Sequence, residues 1–216
     1  MPRKKSMPTI VKVHAKARSV RSMAVGWCTL FFDAEFESTM RDAKFNPFVV
    51  ARLKKPKKAF DTLCQWSKQG AWCAVESHPE IADADGVPGL DLIIGQDHQM
   101  PEEEGWFFSG TQVLSLPSGQ LKIAYEQEFF EEWYGDEFPV CDFSDPKTES
   151  FENEEFVNAT NYLLNVEPGT YALHIYTLDY SKKNGDGRRA DLVVYLNRSS
   201  SKKNGKARPL IGYSGK

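Results

Sequence analysis

Proline, glycine and aspartate cut this chain into short apolar runs, and those interruptions restrict the fold more than any other feature. Residues 25–32, 45–51, 71–76, 90–95, 106–116, 120–125, 161–166, 171–178 and 191–196 are short runs holding β-branched or aromatic side chains, and most end at turn formers. Such side chains are stiff at χ1 and sit well on a pleated surface. Many short strands with frequent turns predict a mainly β fold, an antiparallel β-sandwich or barrel-like sheet. An α+β arrangement is the second choice. The sharpest turn signals are Pro117-Ser118-Gly119, between residues 106–116 and 120–125, and Glu167-Pro168-Gly169-Thr170, between residues 161–166 and 171–178. Both predict hairpins. A first strand is expected at residues 10–17, where Ile10, Val13, Ala15 and Ala17 recur.

One segment breaks the β pattern. Pro56 suits the first turn of a helix, Phe60, Leu63, Cys64 and Ser67 follow three and four apart, and Gly70 supplies a stop. This predicts one short helical insertion over residues 57–69, with Phe60, Leu63 and Cys64 turned inward. Residues 33–44 fit neither period, and residues 126–134 fit strand or helix equally.

With 216 residues, 41% hydrophobic and 26% charged, the chain is long enough for one substantial core. The expected organisation is a flexible basic arm at 1–8, a single β-rich domain at 9–198 and a mostly flexible basic tail at 199–216. Within that tail Pro209-Leu210-Ile211-Gly212-Tyr213 has the apolar surface to dock. No apolar run approaches the roughly 18 residues of a membrane span. Lys12, His14 and Lys16 interrupt the stretch after the charged start, so no secretory leader is read and a cytoplasmic location is expected. Cys28, Cys64, Cys73 and Cys141 lack zinc-ligand spacing and read as reduced, buried thiols. A Cys64–Cys73 bridge in an oxidising compartment is the alternative.

Charge is strongly segregated beneath a net −3. Residues 1–69 hold 15 Lys/Arg against 5 Asp/Glu, residues 70–157 hold 2 against 21, and residues 158–216 hold 10 against 4. The balances are therefore +10, −19 and +6, which sum to −3. Either the basic flanks neutralise the acidic middle, or an acidic face meets a basic protein partner. A third possibility places nucleic acid on the basic ends, Arg3-Lys4-Lys5 and residues 199–208, although these carry no interleaved aromatics.

Catalytic and metal signatures are absent from the sequence. The string Gly185-Asp186-Gly187-Arg188-Arg189-Ala190 mimics a dinucleotide fingerprint, but a β-branched run follows where a helix is required. It reads as a hairpin loop. The loops from Asp83 to Asp91 and from Asn184 to Asp191 offer oxygen ligands and glycines without a full calcium ladder, so no metal or cofactor is expected. His14, His78, His98 and His174 are scattered, and His174 reads as a sheet residue. No nucleophile elbow, P-loop or zincin helix occurs. No catalytic residue is nominated, and an enzyme with its site at strand ends is the competing class.

The candidate partner-binding segment is Glu128, Phe130, Glu131, Glu132, Trp133, Tyr134, Asp136 and Glu137. As a helix, Tyr125, Phe129 and Trp133 would align one turn apart and dock inward, leaving Phe130 and Tyr134 among carboxylates. Aromatics set in acids suit a hot spot for a basic surface. The strings Ser115-Leu116-Pro117-Ser118-Gly119-Gln120-Leu121 and Val166-Glu167-Pro168-Gly169-Thr170-Tyr171 resemble those of small bacterial β-rich proteins, including toxin-neutralising immunity proteins. That resemblance covers a small part of the chain. It implies a non-enzymatic inhibitor or immunity-type protein that neutralises a cationic enzyme such as a nuclease.

Overall fold

The computed structural model describes residues 19–24, 28–43, 50, 57–76, 89–102, 104–125, 140–142, 161–178, 192–201, 203–206 and 211. The arm at 1–8, the strand expected at 10–17, the candidate segment at 128–137, the loop at 184–191 and most of the loop at 83–91 lie outside them.

The described strands form two five-stranded sheets. Sheet A runs β1 (Ser19–Ala24), β4 (Gly89–Ile94), β10 (Leu192–Arg198), β9 (Gly169–Leu178) and β5 (Trp106–Leu116) in spatial order. Sheet B runs β3 (Trp72–Glu76), β2 (Cys28–Asp33), β6 (Gln120–Tyr125), β8 (Asn161–Asn165) and β7 (Val140–Asp142). Pairing is antiparallel except between β10 and β4 and between β7 and β8. The mainly β expectation holds.

Period-two alternation builds the core. Leu90, Leu92, Leu114, Leu116, Leu173, Ile175, Leu192, Val194 and Leu196 of sheet A meet Phe31, Cys73, Val75, Leu121, Ile123, Tyr162 and Leu164 of sheet B in one buried layer. Their intervening neighbours on sheet B face outward beneath two helices. Those are α1 (Glu37–Asp42) and α2 (Lys57–Gln69), with a 3-10 turn at Ala34–Phe36 before α1. Leu30, Phe32, Trp72, Ala74 and Ala124 bury against Met40, Val50, Ala59 and Leu63.

The helix over 57–69 has the bounds its period predicts, but its buried face is rotated. Ala59, Leu63 and Ser67 are buried, while Phe60 and Cys64 are only half-buried. Ser67 is turned inward because its hydroxyl accepts from Gln112 Nε2 at 2.7 Å. The single expected helix is joined by α1, whose six residues are too few to display a readable period. Cys64 and Cys73 are both thiols, so the alternative bridge is not formed.

Both expected hairpins are corrected. The turn at Pro117–Gly119 leads from sheet A into sheet B, and the turn at Glu167–Pro168 leads back. The reason is local bonding. Asp33, 3% exposed, accepts from Ser118 N at 3.0 Å and from Ser118 Oγ at 2.8 Å, and caps the 3-10 turn through Glu35 N at 2.9 Å. The two corners then bond each other, Val166 N donating to Gly119 O at 2.7 Å. Gly119 has φ +73°, and a Cβ there would lie 2.6 Å from Val166 O, so only glycine fits.

Within the expected tail, Asn204 and Ile211 are buried. Ile211 bridges Val75 at the edge of β3. Asn204 receives Val113 N on Oδ1 at 2.6 Å and donates through Nδ2 to Val113 O at 3.0 Å and Ser67 O at 2.6 Å. Its side-chain amide thus imitates a strand peptide on the edge of β5. Its own N–H donates to Lys68 O at 3.1 Å, occupying a carbonyl in the last turn of α2. Ser115 N donates to Gly70 O at 2.8 Å one pleat further on. Together these contacts close part of an edge that would otherwise be open to another strand.

Candidate functional site

The two outer faces of the sandwich are finished differently. Sheet B is roofed by α1 and α2, whereas the outer face of sheet A carries Tyr176, Val193 and Tyr195, with Ile93 and Trp106 packed against them. Among the described residues no helix covers this second face.

A bulge in β5 concentrates rings there. Phe108 pairs with Tyr176 and Gly110 with Ile175, so Ser109 is an extra residue. Thr111 then pairs with His174. Phe108 and Thr111, three apart on β5, therefore share the face of Tyr176 and His174, two apart on β9. Without the inserted residue one of the two would point into the core. Ser109 anchors the irregularity, its Oγ 2.5 Å from Thr177 Oγ1.

The remaining ring comes from the exposed stretch after β4. Gly95, at φ +68°, turns the chain, and its N–H bonds Leu196 O at 3.0 Å. His98 is thereby laid on His174, ring centroids 3.8 Å apart and planes 12° apart. His98 Nδ1 lies 2.8 Å from the Tyr176 hydroxyl, and His174 Nδ1 lies 3.0 Å from Thr111 Oγ1. Phe108 is 6.0 Å from His98 at an interplanar angle of 19°, and 5.2 Å from Tyr176. Tyr195 meets Tyr176 edge-on at 5.9 Å. The result is a fixed shelf in which His174 and Phe108 lie within 19° of parallel to His98, while Tyr176 is tilted 38° to it and Tyr195 stands edge-on to Tyr176.

Burial, and then the neighbouring His98, hold the His174 imidazole below its usual range. Two imidazolium charges this close would repel by about 4 kcal/mol at the effective dielectric of a protein surface. Burial raises the phenols of Tyr176 and Tyr195, so both stay protonated donors at neutral pH. Trp106 Nε1 is buried without an acceptor among the described residues. Exposed Asp97, Glu102 and Glu104 flank the shelf in the chain.

The described residues offer little for catalysis. Cys73 is fully buried, and desolvation pushes its thiol up to about 12, which leaves it protonated and unreactive. No group of three His, Cys, Asp or Glu able to hold a metal occurs among the described residues. No described helix is long and apolar enough to cross a membrane.

Of the sequence candidates, Glu128, Phe130, Glu131, Glu132, Trp133, Tyr134, Asp136 and Glu137 lie outside the described residues. The shelf was not anticipated, because His98 and His174 are far apart in the chain and were taken singly. One signal pointed to it: the alternation of β9 puts Ala172, His174 and Tyr176 on one face.

No family model and no curated protein matches the chain. Among solved structures, a protein titled Crocagin biosynthetic gene J is similar at a TM-score of 0.41 and 14% identity, over 84% of this chain and 96% of that one. A likeness at this level carries no argument about activity.

Proposed function

We propose that this chain is a non-catalytic binding protein that engages a basic protein partner, as an inhibitor masking a cationic enzyme would. The observation that carries the reading is the ring cluster on the outer face of sheet A, where Phe108 and His98 are exposed over the buried Tyr176 and Tyr195, with exposed carboxylates nearby in the chain. Phe108 is 46% exposed, and Met100, two residues after His98, is 48% exposed; both belong to the acidic middle of the chain. Aromatic and methionine side chains with a charged rim are the make-up of a binding patch rather than of a solvated sheet.

The charge balance supports the same reading. Lys122, one of the two bases of residues 70–157, is 4% exposed and ion-paired with Glu37. The stretch containing Glu128, Phe130, Glu131, Glu132, Trp133, Tyr134, Asp136 and Glu137 supplies further carboxylates and aromatics to the same middle segment of the sequence. Complementary charge speeds encounter and selects the partner, while the aromatic centre slows release. The thiol state of Cys64 and Cys73 fits a reducing, cytoplasmic setting.

The test is capture from the source cells, identification of the captured protein, and titration with that protein purified. The expected partner is basic, and its association rate falls with salt and with Glu102→Lys/Glu104→Lys. A captured protein that is acidic, or whose binding is indifferent to both changes, refutes the reading.

A further inference from the structure

Resting on that reading, we infer that the exposed rings of His98 and Phe108, backed by His174 and the buried Tyr176, form a seat for the guanidinium of a partner arginine. Three features of the shelf favour this guest. First, it presents planar exposed rings in a shared orientation, Phe108 and His98 lying within 19° of parallel. A planar, weakly hydrated guanidinium stacks on such a surface, whereas the compact ammonium of lysine keeps its water and has no plane to match. Second, the rings are held before any guest arrives. Tyr176 fixes His98, Thr111 fixes His174, and His174 backs His98 at 3.8 Å. Little side-chain freedom is then lost on binding. Third, the charges close by are acidic: Asp97 adjoins His98, and Asp91 on β4 lies near enough to Tyr195 to raise its phenol. An anionic guest is rejected and a cation is drawn in. The chain already uses this contact internally, with Arg198 Cζ 5.0 Å from the centroid of the Tyr171 ring.

The experiment uses the full chain and two blocked tripeptides, acetyl-Gly-Arg-Gly-amide and acetyl-Gly-Lys-Gly-amide. The readout is the Cε1–H resonances of His98 and His174. The arginine peptide is expected to shift both resonances saturably and to bind at least roughly threefold more tightly than the lysine peptide. Phe108→Leu, which keeps apolar bulk and removes the aromatic face, is expected to abolish the preference at an unchanged melting temperature. Phe108→Ala provides a second check of the same kind. Equal binding of the two peptides, an arginine preference that survives Phe108→Leu, or no shift with either peptide overturns the seat. If the purified basic partner still binds with salt sensitivity in any of these cases, the seat alone has failed. If that binding is absent as well, the partner reading has failed.

Discussion

Asn204 makes the most demanding test of the packing. Its side chain supplies three hydrogen bonds, accepting from Val113 N and donating to Val113 O and Ser67 O. Replacing it with alanine removes all three, but the consequences are unequal. Ser67 O keeps a donor, because Gly70 N also reaches it at 3.0 Å. Val113 loses the partner of both its N–H and its C=O at a buried position. At about 1 kcal/mol per bond, with a further cost for the stranded Val113 groups, the loss should be about 3 kcal/mol. In urea that moves the midpoint by about 1–2 M at a typical slope for a chain of this size. The melting temperature should fall by about 6–12 °C. Asn204→Asp sharpens the argument. It keeps the acceptor for Val113 N–H but aims a carboxylate oxygen at two carbonyls, so it should be at least as unstable at neutral pH and recover when acidified. Hydrogen exchange should show the Val113 amide protected in the parent and fast in both variants. A change under about 0.5 kcal/mol for Asn204→Ala, the range of an ordinary surface substitution, would refute the reasoning.

Asp33→Ala strips four acceptor contacts from Ser118 and Glu35 and should cost about 2–4 kcal/mol by urea titration. A variant as stable as the parent would show that the corner holds without it. Because burial, and then His98, lower the His174 pKa, the unfolded chain binds that proton more readily than the folded one. The contribution is complete above about pH 6.5 and is lost as pH falls through the lower folded value. The parent should therefore lose more melting temperature on acidification to about pH 5.5 than His174→Gln, and equal losses would contradict the assignment. Cys73 should stay unlabelled by iodoacetamide at about pH 8 until the protein is unfolded, as peptide mass spectrometry would report. Rapid labelling in the native state would show that the core opens.

What could be read beforehand followed from local physics. Pro56, the spacing of Leu63 and Ser67, and Gly70 delimit α2 because helix starts, faces and stops are written within a few residues. The strands bounded by Trp106, Leu116, Gln120 and Tyr125 were legible for the same reason. Partners across the chain were not. A Pro-Ser-Gly turn bends the backbone equally well into a hairpin or a corner, and Asp33, 85 residues from Ser118, decides between them. The bulge at Ser109 shifts the facing of half of β5, so strict alternation along that strand misplaces either Phe108 or Thr111. Asn204 lies in a polar stretch without any period, and its role exists only once Val113 and α2 are in place. The stacked histidines likewise depend on a turn at Gly95 and on the register of β9.

The strand order of sheet A also bears on biosynthesis. Its central member, β10, is the last described strand to leave the ribosome, and it alone joins the β1–β4 pair to the β9–β5 pair. Until Leu192 to Arg198 have emerged, β4 and β9 each lack the partner that β10 supplies on one edge. At about 5–20 residues per second, the stretch from Leu178 to Arg198 takes about 1–4 seconds, during which both edges can pair with other chains. A chain truncated before residue 192 is therefore expected to aggregate rather than to form a smaller sheet.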